Sequence, residues 1–487
     1  MSSLLLPGVW GGKIYSGGWR EPGLGTVEVT DKASGAVLGT IGVASPDDVA
    51  AAAFDAHAAQ SEWAQVPGPR RGDVLREFSR LLLAHRDEIA AALTREAGAI
   101  GFKADWEVEM TAREVLEAAA LGSAPLGYVA TSAEVGRHNV ARRVPVGVVG
   151  VITPFNSPLL LAARAVGPAL ASGNAVLLKP DPRTPVSGGV VFARLFEQAG
   201  LPSGLLHVLP GGIPTGEALV ADPGVDMVSF TGSTRAGRLI GAAAGGALKR
   251  VSLELGGNNP YVVLDDVDID AAASAGAWGS FFHQGQICLT TGRHLVHQRI
   301  AGAYAEALVA HARKLTVGDP STGPVQLGPI INEKQAANVD RIVAETLAQG
   351  AKLLVGGTRD GLFYTPTVIT GVRPGMPAFD EEIFGPVAAI TTFADDEEAI
   401  VLANHTNYGL VAAVVCPDLA RAQRVADQLR AGVVHINDQT VLHDVYGPIG
   451  GTGDSGNGFS HSTLTNADQF TEWQWVSSRT QIPAYPF

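Results

Sequence analysis

Cys288, in HQGQICLTTG, stands just past an apolar helix and before a strand, where glycine lets backbone come close to a ligand. A thiol in that place is a nucleophile or a small core hydrophobe. Glu254, in LELGGNNP, ends a β-run ahead of paired glycines, so a sharp turn leaves its carboxylate facing a cleft; a salt-bridged strand end is the plainer alternative. Asn156, in ITPFNSPL, follows a strand and precedes a helix beginning near Pro158. Its amide is aimed into the crevice at the carboxyl end of a sheet, or it caps the helix. Thr231, Gly232 and Ser233 follow MVSF and open a helix that includes Gly237, offering backbone donors and a positive helix end to a pyrophosphate, without the usual GxGxxG spacing. Lys179 ends another strand, where its ammonium donates to ribose hydroxyls or is simply solvated.

The elements that must position these residues are legible in the apolar periodicity. Residues 47–121 are Ala-rich with helical spacing, and Pro67, Gly68 and Pro69 separate two helices; several helices pack before any strong strand appears. From residue 142 the pattern becomes short β-branched runs alternating with helices: VPVGVVGVI, helix 158–171, NAVLLK, helix 186–199, GLLHVL, MVSFTG, a helix near 235–244, and KRVSLEL. Strands separated by helices of this kind imply right-handed βαβ units and a parallel, doubly wound sheet. A second series runs from NPYVVLDD through helix 269–283, HLVHQ, helix 301–314, VAAITTF, LVAAVVC and GVVHIN, implying a second α/β domain. TEWQWVSSRT, after the Gly-rich stretch 447–458, is a terminal strand that must pair with residues 136–143, with a partner subunit, or with both.

Composition narrows the classes. The 487 residues suit two to four domains at roughly 100–200 residues each. Two cysteines, Cys288 and Cys416, cannot build a disulfide framework or a four-thiolate zinc site, and so few thiols suit a reducing compartment, the cytosol by default. Lys plus Arg number 35 against 48 Asp plus Glu, a net −13 without clustered bases, which argues against nucleic acid. With 46 % hydrophobic and 17 % charged residues the chain is globular, and neither a signal peptide nor a membrane anchor is expected. His435, His443 and His461 lack ligand spacing with thiols or carboxylates, so no metal is expected.

Seven segments in order, TPFNSPL, KPDPRTP, FTGSTRAG, LELGGNNP, QGQIC, EEIFGPV and PIGGTGDSGNG, resemble the aldehyde dehydrogenase superfamily over nearly the whole chain, including the 34 positions between Glu254 and Cys288. KPDPRTP, HINDQT and TEWQWV look most like the benzaldehyde and vanillin dehydrogenases. The resemblance implies an α/β fold of two doubly wound parallel-sheet domains plus a small β oligomerisation arm. It implies an NAD(P)-binding domain at 1–127 and 148–254, a catalytic domain at 255–459, and an arm at 128–147 and 460–487 that makes a homodimer or homotetramer. It further implies Cys288 as nucleophile, Glu254 as general base and Asn156 as oxyanion donor. Cofactor contacts are implied at Thr153, Pro154, Phe155, Lys179, Gly232, Ser233, Glu382 and Phe384. The implied reaction is oxidation of an aromatic aldehyde to its acid through a thiohemiacetal and a thioester.

Three departures sharpen this. Many NAD-preferring relatives carry glutamate three residues after the KP lysine, whereas Pro182 followed by Arg183 stands here, so NADP is expected beside NAD. His283 occupies a place where relatives often have asparagine; a helix end is favoured over a protease-like Cys/His pair. Ser157 replaces an aromatic residue of aliphatic-aldehyde relatives and leaves room for a ring. Arg164, eight residues beyond Asn156 on the same helix face, orients a ring substituent or is structurally paired. Trp106, Met110, Ile287, Leu289, Val441 and Leu442 are pocket walls or ordinary core. The competing readings are aliphatic aldehydes or semialdehydes by the same mechanism, transfer of the acyl group to coenzyme A, against which Glu254 speaks, and a binding protein that has lost turnover.

Overall fold

Every side chain of Val148–Ile152 and of Ala175–Lys179 is buried, as strands inside a parallel sheet must be. In the computed structural model, which describes residues 3–125, 127–463 and 465–487, these two strands centre the first sheet. Its parallel order is Arg250–Glu254, Met227–Thr231, Val148–Ile152, Ala175–Lys179, Leu206–Val208. Ile14–Ser16 and Trp19–Arg20 extend the far edge antiparallel. Strand order reverses beside Val148–Ile152, which opens a crevice at the carboxyl ends of Val148–Ile152 and Met227–Thr231.

The second sheet runs Lys352–Val355, Thr367–Thr370, Val387–Phe393, Thr291–His297, Asn259–Val263, Val411–Val415, Val433–Ile436, parallel except for its first member. Successive side chains divide between its faces: Tyr261 and Val263 join one buried cluster, Val262 and Leu264 another. Two doubly wound parallel sheets are thus joined where Arg250–Glu254 turns directly into Asn259–Val263.

The long helices Pro46–Trp63, Gly68–Ala84, Arg86–Ala97 and Gly101–Ala120 precede the first parallel strand. Ser45 and Asp48 form a reciprocal capping box at the first, satisfying amides that a helix start leaves open. Strands do precede these helices, though none is strong. Ile14–Ser16, Trp19–Arg20, Thr26–Thr30 and Val37–Gly42 are all strands, too short or too exposed to give a strong alternation. Helix 269–283 also ends earlier, at Phe281, because His283 and Gln284 take left-handed φ of 52° and 58° that a helix cannot contain.

A third, antiparallel sheet joins Thr471–Arg479 to Arg137–Pro145 and then to Gly127–Ala130, so the terminal strand pairs within its own chain. Tyr128, Val129, Val140, Trp473, Trp475 and Val476 on it are exposed, and Arg143 lies 4.3 Å from the Trp473 ring centroid. Among the described residues no helix is long and apolar enough to cross a membrane.

Candidate active site

The join between the sheets carries the first carboxylate. Glu254 is the last residue of its strand, with its carbonyl accepting from Gly232 N–H at 3.0 Å. The Gly-rich loop pins this edge: Ser455 O accepts from Leu255 N–H at 2.9 Å, and Asn457 bonds Leu253 N–H and Val251 O at 3.0 and 2.8 Å. The Glu254 side chain is buried, and its Oε1 has no hydrogen-bond partner among the described residues. Burial pushes the carboxyl up to about 8, with the Arg164 charge pulling the other way.

Beyond Glu254, two glycines let other groups close in. A Cβ on Gly256 would lie 2.3 Å from Glu382 Oε2, and one on Gly257 2.6 Å from Cys288 O. Asn259 holds the cysteine segment from the second sheet, its Nδ2 donating to Cys288 O at 2.8 Å and Thr290 O at 2.7 Å. Gln284 and Gln286 tie the same segment to Gly98, Pro329 and Ile331. Cys288 is half-buried and packs with Ile287 and Val441 beside Leu289, Leu410 and Val411. Burial pushes its thiol up to about 12; Arg164 lowers it, while Glu382 and Glu254 raise it further. Cys416, in contrast, is fully buried past its strand, with Asp266 near its sulfur.

Asn156 is buried in the turn between Val148–Ile152 and Pro158–Ala171, and the cap position belongs to Ser157, one residue later. The His283 ring lies against the Asn156 backbone, which brings the asparagine to the segment leading to Cys288. Arg164, on the helix that follows, bonds His443 Nδ1 at 2.5 Å and approaches Glu114 Oε1 at 3.4 Å. Trp106 meets His443 edge-on at 6.1 Å between centroids. Trp106 and Met110 are partly exposed, as is Leu442 at the rim.

A dinucleotide is the group these residues fit. Thr153, Pro154, Phe155, Gly232 and Ser233 gather at the reversal crevice, where the buried Thr153 Oγ1 has no partner. A Cβ on Gly232 would lie 2.5 Å from the Phe230 ring, so the backbone there is bare. Ser233 Oγ caps Thr234–Gly246, accepting from Ala236 N–H at 3.4 Å. The nearly buried Lys179 donates only a long bond, 3.4 Å, to Pro180 O, and burial lowers its affinity for a proton against the pull of Asp181. Asp181 is gripped by both arms of Arg183, whose guanidinium lies 4.1 Å from the Phe155 ring centroid. Glu382 Oε1 accepts from Gly257 N–H at 2.9 Å, and burial raises that carboxyl to about 7. Phe384, at a left-handed φ of 51°, meets Phe155 edge-on at 5.8 Å. Gln335 fixes this turn by donating to Ile383 O and Phe384 O at 3.1 and 3.0 Å.

The sequence did not single out Asn259 as a clamp, Gln335, or the buried Lys103 and Glu107 behind Asn156. Asn259 stood inside a quoted motif; the other three sat in helices with nothing to set them apart. Among the described residues no cluster of three or more His, Cys, Asp or Glu side chains is arranged to hold a metal ion.

Comparison with known proteins agrees with this geometry. The aldehyde dehydrogenase family profile matches residues 19–476. The chain is 50 % identical to a vanillin dehydrogenase of Amycolatopsis sp. over 98 % of each chain. It is 48 % identical to a benzaldehyde dehydrogenase [NAD(+)] of Pseudomonas putida, again over 98 % of each. The structure of betaine aldehyde dehydrogenase from Staphylococcus aureus in complex with NAD+ superposes with a TM-score of 0.95 at 30 % identity, covering 99 % of this chain and 97 % of that one.

Two outcomes follow from the site alone. Because the thiol is held up at about 12, iodoacetamide should alkylate Cys288 of the cofactor-free protein at a rate climbing about tenfold per pH unit from pH 7 to 10, and Arg164→Gln should slow it at each pH. A plateau between pH 8 and 9 would contradict the burial of that thiol. Gly285 has φ of 66°, and a Cβ there would lie 2.1 Å from Gly385 O. Gly285→Ala should therefore cost about 1–3 kcal/mol and at least tenfold in turnover. Gly302→Ala, with open space around it, should cost neither by melting and kinetic measurements.

Proposed function

The chain belongs to the aldehyde dehydrogenase family, and on that premise we propose that it oxidises an aromatic aldehyde, of the benzaldehyde or vanillin kind, to the carboxylic acid with NAD as hydride acceptor. The observation that supports the reading best is the buried Glu254 carboxyl acting on the Cys288 thiol at the join between the sheets, with the Asn156 backbone against the His283 ring five residues before the cysteine. The Cys288 thiol loses its proton to solvent, the sulfur forms a bond to the aldehyde carbon, and the carbonyl π pair becomes an oxyanion held by the Asn156 amide and the Cys288 N–H. NAD, when bound, would supply the hydride acceptor, so that loss of hydride from that carbon would leave the acyl group as a thioester on Cys288 and yield NADH. Glu254 takes a proton from water, the hydroxide adds to the thioester carbon, and the carbon–sulfur bond breaks to release the acid and the Cys288 thiolate, which recovers a proton from Glu254.

Lys179 serves the adenosine ribose, Gly232 and Ser233 the pyrophosphate, Glu382 the nicotinamide ribose, and Thr153, Pro154, Phe155 and Phe384 shape the walls. Residues 1–127 and 148–254 form the cofactor domain, and 255–459 the catalytic domain. Arg183 already neutralises Asp181, so no free carboxylate opposes a 2′-phosphate and NADP is accepted as well. A preference for NAD above about a thousandfold in kcat/KM, on the order of 4 kcal/mol, would exclude that. The arm at 128–147 and 460–487, with its exposed aromatic face, joins subunits into a homodimer or homotetramer in the cytoplasm.

Cys288→Ala should abolish NADH production, and Asn156→Ala should lose about 10²–10³ in kcat. Glu254→Gln should release a burst of NADH followed by slow turnover. Glu254 with a carboxyl at about 8 is protonated below that pH, so hydrolysis-limited turnover should rise as pH climbs through about 8 and flatten in the Gln variant. Full steady-state turnover in the Gln variant excludes Glu254 as the base. Across benzaldehyde, vanillin, salicylaldehyde and hexanal, efficiency should favour the aromatic members; a clear preference for hexanal sinks the substrate class. Formation of an acyl-coenzyme A product, in place of the acid, would reassign the reaction.

A further inference from the structure

Behind Asn156 lies a buried ion pair that none of the proposed chemistry uses. Lys103 and Glu107 sit one turn apart on Gly101–Ala120, their side chains are fully buried, and ammonium and carboxylate are in direct contact. Each has a second partner on the turn that carries Asn156. Lys103 Nζ donates to Asn156 O at 2.7 Å. Glu107 Oε1 accepts from Leu159 N–H at 2.9 Å and Leu160 N–H at 3.2 Å, in the first turn of Pro158–Ala171. Ser157 makes no side-chain cap there, so the open amides of that helix are satisfied from a different helix. The His283 ring, fully buried beside Lys103 and the Asn156 backbone, packs the remaining side.

The grip closes on both sides of Ser157, on the carbonyl before it and on the amides after it. Burying two charges is costly, and an apolar pair of similar volume is often as stable, so overall stability is a weak reason for this pair. Orientation is a better one: an oxyanion donor acts through being aimed before the charge develops, and a displacement near 1 Å can cost on the order of a hundredfold.

We infer that Lys103 and Glu107 are positioning residues for the oxidation: together they fix the Asn156 peptide and the helix start behind it, so that the Asn156 amide faces the nascent oxyanion without rearrangement. The inference rests on the reading of Asn156 as oxyanion donor.

A double-mutant cycle tests it. Lys103→Met and Glu107→Gln are made alone and in the Asn156→Ala background, with kcat and KM for benzaldehyde measured at saturating NAD. Melting temperature and NAD quenching of tryptophan fluorescence report folding and cofactor binding. Each single change should lower kcat by about ten- to a hundredfold with KM little altered, and should add almost nothing once Asn156 is alanine. Glu107→Gln keeps an acceptor oxygen at the same volume, and carries the cycle alone if Lys103→Met does not fold. Losses that multiply with that of Asn156→Ala, or full kcat in a folded single variant, overturn the inference. Unimpaired kcat in Asn156→Ala itself would instead overturn the reading of Asn156.

Discussion

The absence of a side chain at Gly256 and Gly257 is the constraint on which the crevice depends. Between the last strand of one sheet and the first of the next, the chain passes so close to Glu382 and to the Cys288 carbonyl that a single methyl group would collide with either. Three groups of different origin are thereby forced together: a carboxylate at a strand end, a second carboxylate from a loop beyond the sheet, and a thiol from the segment that Asn259 clamps. Any residue with a Cβ would push them apart by more than the tolerance of bond-forming geometry. The two sheets supply rigidity, and the glycines supply the proximity that rigidity alone would forbid.

That proximity creates an electrostatic problem, which one cation addresses. Two carboxyls and a thiol withdrawn from water all resist ionisation, and a charge on either carboxyl opposes one on the thiol. Arg164 is the positive group that acts on both Glu254 and Cys288, and Glu114 and His443 hold its guanidinium. Burial drives His443 towards its neutral form, with Arg164 pushing the same way, so the histidine acts as an acceptor for the guanidinium. Structural pairing and an active-site role, alternatives when Arg164 is read from sequence, are therefore compatible: the pairing fixes where the charge sits.

The motif-bearing strand ends were legible because parallel strands buried on both faces produce apolar runs that stop abruptly, and Glu254, Lys179 and Thr231 stand at the stops. Lys103 and Glu107 were not legible. An i,i+4 pair of opposite charges on an amphipathic helix is the ordinary signature of a solvated face, and only the tertiary fold places this one in the interior. The left-handed turn at His283 and Gln284 was equally hidden, since neither residue type demands positive φ; the cost is met by Gln284 bonding Gly98 O and Pro329 O. The terminal strand Thr471–Arg479 shows the converse. Its alternation announced a strand, but which of several edges it would join was decided by register with Arg137–Pro145 over its full length.

The relative proton affinities in the crevice bear on how the nucleophile forms. Burial raises the Cys288 thiol further than the Glu254 carboxyl, to about 12 against about 8, which favours the proton on sulfur in the free protein. The thiolate is then a minor species that reacts as it appears, and the oxyanion donors lower the barrier by stabilising the charge once it has moved to oxygen. Burial makes each thiolate more nucleophilic but makes it rarer by a larger factor, so the aimed donors that receive the charge on oxygen have to offset the cost of forming it. In the proposed reaction sulfur no longer carries the proton once the thioester has formed, and a carboxyl raised to about 8 by burial suits the proton abstraction from water assigned to Glu254. One desolvated crevice thus opposes addition by suppressing free thiolate, which the Arg164 charge offsets in part, and in the proposed reaction it favours hydrolysis by making the Glu254 carboxylate basic.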